Sequence, residues 1–371
     1  MTGARARMRP CYAAGGRAPA AKPNSTMLES LRTLPKVQLH VHLEGTISPE
    51  LLLALARRHG IDLKERAGLA PADLYRFKDF QEFLYLFRDV CQALKEPDDY
   101  GVLAASYARA AAAQGVCYAE VFISPSVWTW FHRQIDVRAV VEAIHDAFES
   151  ERRRSGFEAR LIADVTRNFG PARALKTITL VEGLMDLGII GIGLGGDERN
   201  YPARDFGDAF AKARSVGLHT VAHAGEAQAA WSIREALEIG AERIGHGCAA
   251  ADDAEVTALL AERNVCVEAC PTSNALTGAW RAGEPHPLLS LDRAGVPIAI
   301  DSDDPALFST TLLTEYARVA EMAGLDSVRR FARNAVVHSF AAGETKRELL
   351  ARIDRHAASK GAGERGRVEN Q

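Results

Sequence analysis

Apolar residues along the chain gather into eight short strand-like runs separated by longer segments with helical spacing. The runs are VQLHVHL from residue 37, CYAEVFI from 117, ARLIADV from 159, IIGIGL from 189, HTVAHA from 219, RIGH from 243, VCVEAC from 265 and VPIAID from 296. Between them lie alanine-rich amphipathic stretches such as 97–114, 135–154, 171–187 and 203–216. Eight βα units with no internal linker predict an α/β fold, a (β/α)8 TIM barrel.

The stretch from 46 to 96 is longer than one crossover needs, which predicts a helical insertion after the first strand. Within it Phe80, Phe83, Leu84 and Phe87 recur at i, i+3, i+4 and i+7, one face of a helix. That face either packs as ordinary core or forms an apolar wall over the barrel mouth, with Phe83 and Phe87 against a flat ligand. A doubly wound open sheet is the competing architecture, suggested by GIGLGG at 191–196. It fails because a dinucleotide fingerprint needs an early strand, a helix opening at the glycines and an acid about 20 residues on. Here the glycines follow three other strands and run into DERNYP. The expected organisation is a disordered extension over 1–26, the barrel over 27–355 and a flexible tail over 356–371.

Composition narrows the partners. With 47% apolar and 25% charged residues in 371, a net charge of −3 and a pI near 6.4, the chain is an ordinary globular sequence. Nucleic-acid and membrane surfaces would favour a strong positive excess, so neither is expected, and a small molecule is the default ligand. A homo-oligomer is left open. Six cysteines without a CxxC pair argue against a disulfide framework or zinc ribbon, and with no run of about 18 apolar residues the cytoplasm is the expected compartment. Residues 1–26 are Arg-rich and acid-free like a transit peptide but lack the apolar core of a secretory signal.

The candidate chemistry lies at the carboxyl ends of the runs. These ends read HVHLEG, GGDE, HAGE, GHG, CPTSN and DSDDP, and in a closed parallel barrel all of them ring one opening. His40 and His42, two apart on a strand, share a face and converge on one volume, which suits a metal; taken alone they also fit two histidines in a polar layer.

In this order the motifs LPKVQLHVHLEG, GGDE, VAHAGE, RIGHG, CPTSN and SDDPALF resemble the adenosine/adenine deaminase family of metal-dependent amidohydrolases, from about Leu34 to His338. The resemblance implies one Zn2+ per chain held by His40, His42, His223 and Asp303. Asp301 is the alternative acid, read as a supporting group. It also implies hydrolytic deamination of a 6-aminopurine nucleoside, an adenosine-like substrate, by attack of metal-activated hydroxide on C6. Glu226 matches the proton donor and shuttle, which needs a raised pKa, and His246 the histidine that orients the nucleophile. Asp304 matches the group that meets purine N7, and Gly196 the backbone N–H that meets N3. Asp197 and Glu198 either support that loop or are solvated acids, the reading taken for Glu198. Thr272, Ser273 and Asn274 read as loop hydrogen bonders.

The substrate is less determined than the reaction. Glu44 stands where nucleoside-specific members carry Asp, and adenine deaminases carry Glu, which favours the free base; GLGGDE resembles the nucleoside branch. A 5′-extended nucleoside ending in a benzoate, 6-aminodeoxyfutalosine, reconciles the two, with Arg167, Asn168, Ser124 and Ser126 as candidate partners for its carboxylate. A catalytically inactive nucleoside-binding relative would lack some of these residues and carry a secretion signal with paired cysteines. Other hydrolases on this barrel use a carbamylated lysine after the fourth strand, where this chain has Gly196 and Asp197.

Overall fold

A computed structural model describes residues 25–63, 69–78 and 80–368. Its eight strands are β1 (Lys36–His42), β2 (Val116–Ile123), β3 (Glu158–Thr166), β4 (Ile189–Gly195), β5 (His219–Ala224), β6 (Arg243–His246), β7 (Cys266–Ala269) and β8 (Ile298–Ile300). They follow one another in chain order in a single sheet, every adjacent pair parallel. Each strand matches one of the eight apolar runs, and helices connect them as a (β/α)8 barrel requires.

The seam between β1 and β8 is closed by acidic residues beyond the end of β8. Asp303 N–H donates to His40 O at 3.1 Å and His42 N–H donates to Asp303 O at 2.9 Å. Asp301 Oδ1 accepts from the Leu39 and His40 N–H groups at 2.7 and 3.0 Å, so this acid replaces a ladder partner at the seam. Barrel closure and placement of the candidate ligands are therefore the same event.

Inside the barrel, Phe122, Ile162 and Val221 pack as one buried cluster with Ile190 and Phe340 at its edge. Burying a ring such as Phe122 contributes on the order of 1.5–3 kcal/mol. The rings of His40 and His42 lie over Phe122, with centroids 4.9 and 5.0 Å away, so an apolar layer forms the floor of the polar one. A Cβ at Gly193 would run into the Phe122 ring. The glycines of GIGLGG thus serve close packing inside the sheet.

Two helices, Pro49–His59 and Phe80–Ala93, precede the crossover helix Pro97–Ala113 between β1 and β2, the predicted insertion. Ser48 caps the first by accepting from Leu51 N–H, Pro49 fits its first turn and Gly60 ends it in the left-handed conformation. The expected extension over 1–26 lies outside the described residues up to 24; the first helix is Ser25–Thr33, two residues ahead of Met27. The last helix runs Gly343–Val368, into the stretch expected as a tail from 356. Among the described residues no helix is long and apolar enough to cross a membrane.

Candidate active site

The four candidate ligands meet at the carboxyl end of the barrel. Asp303 Oδ1 stands 3.4 Å from His40 Nε2 and 3.3 Å from His42 Nε2, and His42 Nε2 stands 3.1 Å from His223 Nε2. Ligand atoms on a tetrahedron with metal–ligand bonds of about 2.1 Å are separated by roughly 3.4 Å, so this spacing fits one cation. Glu268 Oε2 accepts from His40 Nδ1 at 2.8 Å, which puts the ring proton on Nδ1 and turns the Nε2 lone pair toward the cluster. That Nε2 is buried with no hydrogen-bond donor facing it. Burial also pushes His42 down to about 3 and His223 well below its ordinary value, which keeps both rings neutral. His40 differs: against the effect of burial, Asp303 and Glu268 hold its ring well above the ordinary imidazole value, so a cation would have to displace a proton from Nε2 to bind there. Three imidazoles and a carboxylate are the donor set of a zinc-type site.

Two of the site residues sit in left-handed backbone, Asp303 at φ 62° and His246 at φ 65°. Such conformations cost about 1–3 kcal/mol each and persist where surrounding bonds over-determine them. Here the bonds are the β1 seam for Asp303, whose Oδ2 also accepts from Ser273 Oγ at 2.6 Å. For His246, Asn274 Nδ2 donates to Nδ1 at 3.0 Å, which leaves the ring proton on Nε2. Burial pushes His246 down to about 4.

Glu226 lies on the irregular segment after β5, its side chain 10% exposed and Oε2 3.7 Å from His246 Nε2. Burial, then the charges of Asp303 and Glu198, push its carboxyl up to about 8. Asp304 is held well above the usual carboxylate range by burial and by Asp303, and its Oδ1 is buried without a partner. Gly196 adopts φ 98° at the end of β4, beside Asn168 Oδ1, which accepts from Asp197 N–H at 2.9 Å. Phe87 stands edge-on to His42 at 6.3 Å and so walls the opening, whereas Phe83 belongs to an aromatic group with Phe77, Phe80 and Phe308 behind it.

The structure relocates several expected residues. Arg167, expected to meet a substrate carboxylate, is 1% exposed and donates to Tyr201 O at 2.8 Å and His223 O at 2.7 Å; its head group supports the β5 end because the chain's own carbonyls surround it. Ser126 Oγ is likewise bonded to Asp164 O and to Thr166 Oγ1. Glu44 is fully buried, its Oε1 accepting from Ser124 N–H at 3.1 Å and Trp128 Nε1–H at 2.7 Å and its Oε2 unpartnered. Glu198, read as solvated, is 3% exposed and accepts four hydrogen bonds.

Four further polar residues were not singled out from the sequence. Glu268 orients His40 and takes Arg243 Nε–H at 2.6 Å on its other oxygen, while Arg243 Nη2 donates to Glu120 Oε2 at 2.6 Å. Asp164 points into the barrel two residues beyond Ile162, with Oδ1 unpartnered and its pKa pushed up to about 7 by burial and then Glu44. Each is a lone acid or base inside an apolar run, the signal that could have marked it.

The chain matches a family model described as Adenosine deaminase over residues 35–356. It is 38% identical over 331 residues to an aminodeoxyfutalosine deaminase of Streptomyces avermitilis, covering 88% of this chain and 92% of the relative. It is 34% identical over 334 residues to an adenine deaminase of Cupriavidus taiwanensis, covering 89% and 94%. Among solved structures, a zinc-bound amidohydrolase from Burkholderia ambifaria aligns with a TM-score of 0.82 at 25% identity, over 93% of this chain and 97% of that one.

Proposed function

The chain belongs to the adenosine deaminase family, hydrolases that act on the C–N bonds of aminopurines, and we propose that this member replaces the exocyclic amine of a 6-aminopurine nucleoside with oxygen and releases ammonia. The observation that carries the proposal is the placement of Glu226, its Oε2 3.7 Å from His246 Nε2, beside the converging ligand atoms of His40, His42, His223 and Asp303. His40, His42, His223 and Asp303 would hold the cation, which lowers the pKa of a bound water toward about 7 and so supplies a nucleophile near neutral pH.

The chain's own groups do the rest. Glu226 gives its proton to purine N1, which must gain one as C6 loses its aromatic character; as a carboxylate it then takes the proton of the hydroxyl added at C6 and passes it to the amine, which leaves as ammonia as the C6 carbonyl forms. His246 directs its Nε2–H at the oxygen that adds to C6 and stabilises the charge that develops there. Asp304, kept neutral by burial, has a proton to donate to N7, while the Gly196 N–H meets N3. Phe87 covers the ring and excludes water.

One observation favours a 5′-extended nucleoside of the aminodeoxyfutalosine kind. Trp130 and Phe169 stack at 4.8 Å with Arg173 at 5.4 Å from both rings, on the segments that follow β2 and β3. Trp130 is 54% exposed, and such an aromatic and cationic rim suits an aromatic carboxylate. The 38% identity to an aminodeoxyfutalosine deaminase supports the same reading. Free adenine is the competing substrate, supported by Glu44 and by the adenine deaminase relative.

The experiment is ammonia release from adenine, adenosine, deoxyadenosine, methylthioadenosine and aminodeoxyfutalosine under one set of conditions. The highest kcat/KM is expected on a nucleoside. Turnover of adenine alone would overturn the nucleoside reading.

A further inference from the structure

We infer that Glu198 is a positioning residue that holds the segment carrying Glu226 in its working conformation, an inference that rests on the role proposed for Glu226. Glu198 sits in the loop after β4, and its carboxylate crosses to the segment after β5. Oε1 accepts from the Gly225 N–H at 2.7 Å and from the Ser232 hydroxyl. Oε2 accepts from the Ala227 N–H at 2.6 Å and the Gln228 N–H at 3.1 Å. Donors therefore come from both chain neighbours of Glu226.

Residues 225–228 belong to neither strand nor helix, so their N–H groups have no ladder to join. A buried backbone donor without an acceptor costs about 1–3 kcal/mol, and Glu198 supplies the acceptors that regular structure would have given. Bonds to a charged acceptor are roughly twice as strong as neutral ones. Four donors also occupy the lone-pair sites of a carboxylate, so Glu198 has none left for a ligand. Its task is inside the protein.

Two other contacts fix the same turn. Arg167 holds the carbonyl of His223 at 2.7 Å. Gly225 leaves β5 at φ 69°, and a Cβ there would meet the Ile233 side chain at 2.5 Å. The β5 end thus carries a metal-ligand candidate gripped at its carbonyl and an acid gripped through its neighbours' N–H groups. Misplacing a catalytic group by about 1 Å can cost on the order of 100-fold in rate. The grip on residues 225, 227 and 228 is what prevents that displacement.

Glu198→Gln tests this, because an amide keeps the size but turns an N–H2 group toward N–H donors. For the metal-loaded enzyme, kcat is expected to fall by at least roughly 30-fold while KM stays within about threefold and the bound metal stays at one ion per chain. Glu198→Asp, which keeps the charge on a shorter arm, is expected to recover part of the lost kcat, and it stands in if the Gln variant does not fold. A kcat within about twofold of wild type in either variant overturns the inference, as does loss of metal in parallel with kcat. Amide hydrogen exchange at Gly225, Ala227 and Gln228 needs no turnover and so separates this inference from the proposed function. Protection lost in the variants supports the grip, and protection unchanged overturns it whatever the substrate is.

Discussion

Glu268 holds His40 by a fully buried hydrogen bond of 2.8 Å between Oε2 and Nδ1, and its other oxygen is taken by Arg243. The pair fixes the ring's tautomer and its direction, so the Nε2 lone pair faces Asp303 rather than the barrel floor. Replacing Glu268 by Gln removes a charge that sits between His40 and Arg243. Metal affinity is expected to fall by roughly 10- to 100-fold, read by competition with a chelator of known affinity. An unchanged affinity would show that the bond does not set the ligand.

Glu226 is expected to behave in the opposite way. It touches none of the four candidate ligands within bonding distance, so Glu226→Gln should keep the metal. Turnover should fall by at least about 100-fold, the scale of a lost general acid. Metal analysis and ammonia release on the same preparation separate the two effects.

The pH profile follows from the same residue. Burial, Asp303 and Glu198 raise the Glu226 carboxyl to about 8, so the protonated form that donates is present below that pH and is lost above it. Activity is expected to decline above pH 8 by about tenfold per unit. In contrast His246, pushed down to about 4, stays neutral across this range and contributes no limb near neutrality. A profile that stays flat to pH 10 would remove Glu226 as the donor.

Packing beneath the site makes a separate prediction. Gly193→Ala drives a Cβ into the Phe122 ring, which underlies His40 and His42. The strand is held on both sides, so the ring has to move. A destabilisation of about 1–3 kcal/mol is expected from chemical denaturation. Stability equal to wild type would mean that Phe122 has room the packing does not show.

What the sequence made legible follows from physical range. The strands could be read because their apolar runs are continuous, and His40, His42, His223, Glu226, His246 and Asp303 because each stands at the end of such a run. Parallel closure then brings strand ends together without further information. Arg167 and Glu198 were misread for the converse reason. Their partners are the carbonyl of His223 and the N–H groups of Gly225, Ala227 and Gln228, backbone groups with no residue signature and 27 to 56 positions away. Glu268 looked like one acid in an apolar strand, and only the fold puts it behind His40. The stacked Trp130, Phe169 and Arg173 come from segments after two different strands, so no local motif could join them.

Titration of the chelated protein with zinc, followed by ammonia release from the nucleoside panel, tests the central claim most directly. Activity is expected to rise in proportion to bound metal and to stop at one ion per chain. Full activity in the metal-free protein, or a fully loaded protein that leaves every aminopurine intact, would contradict it.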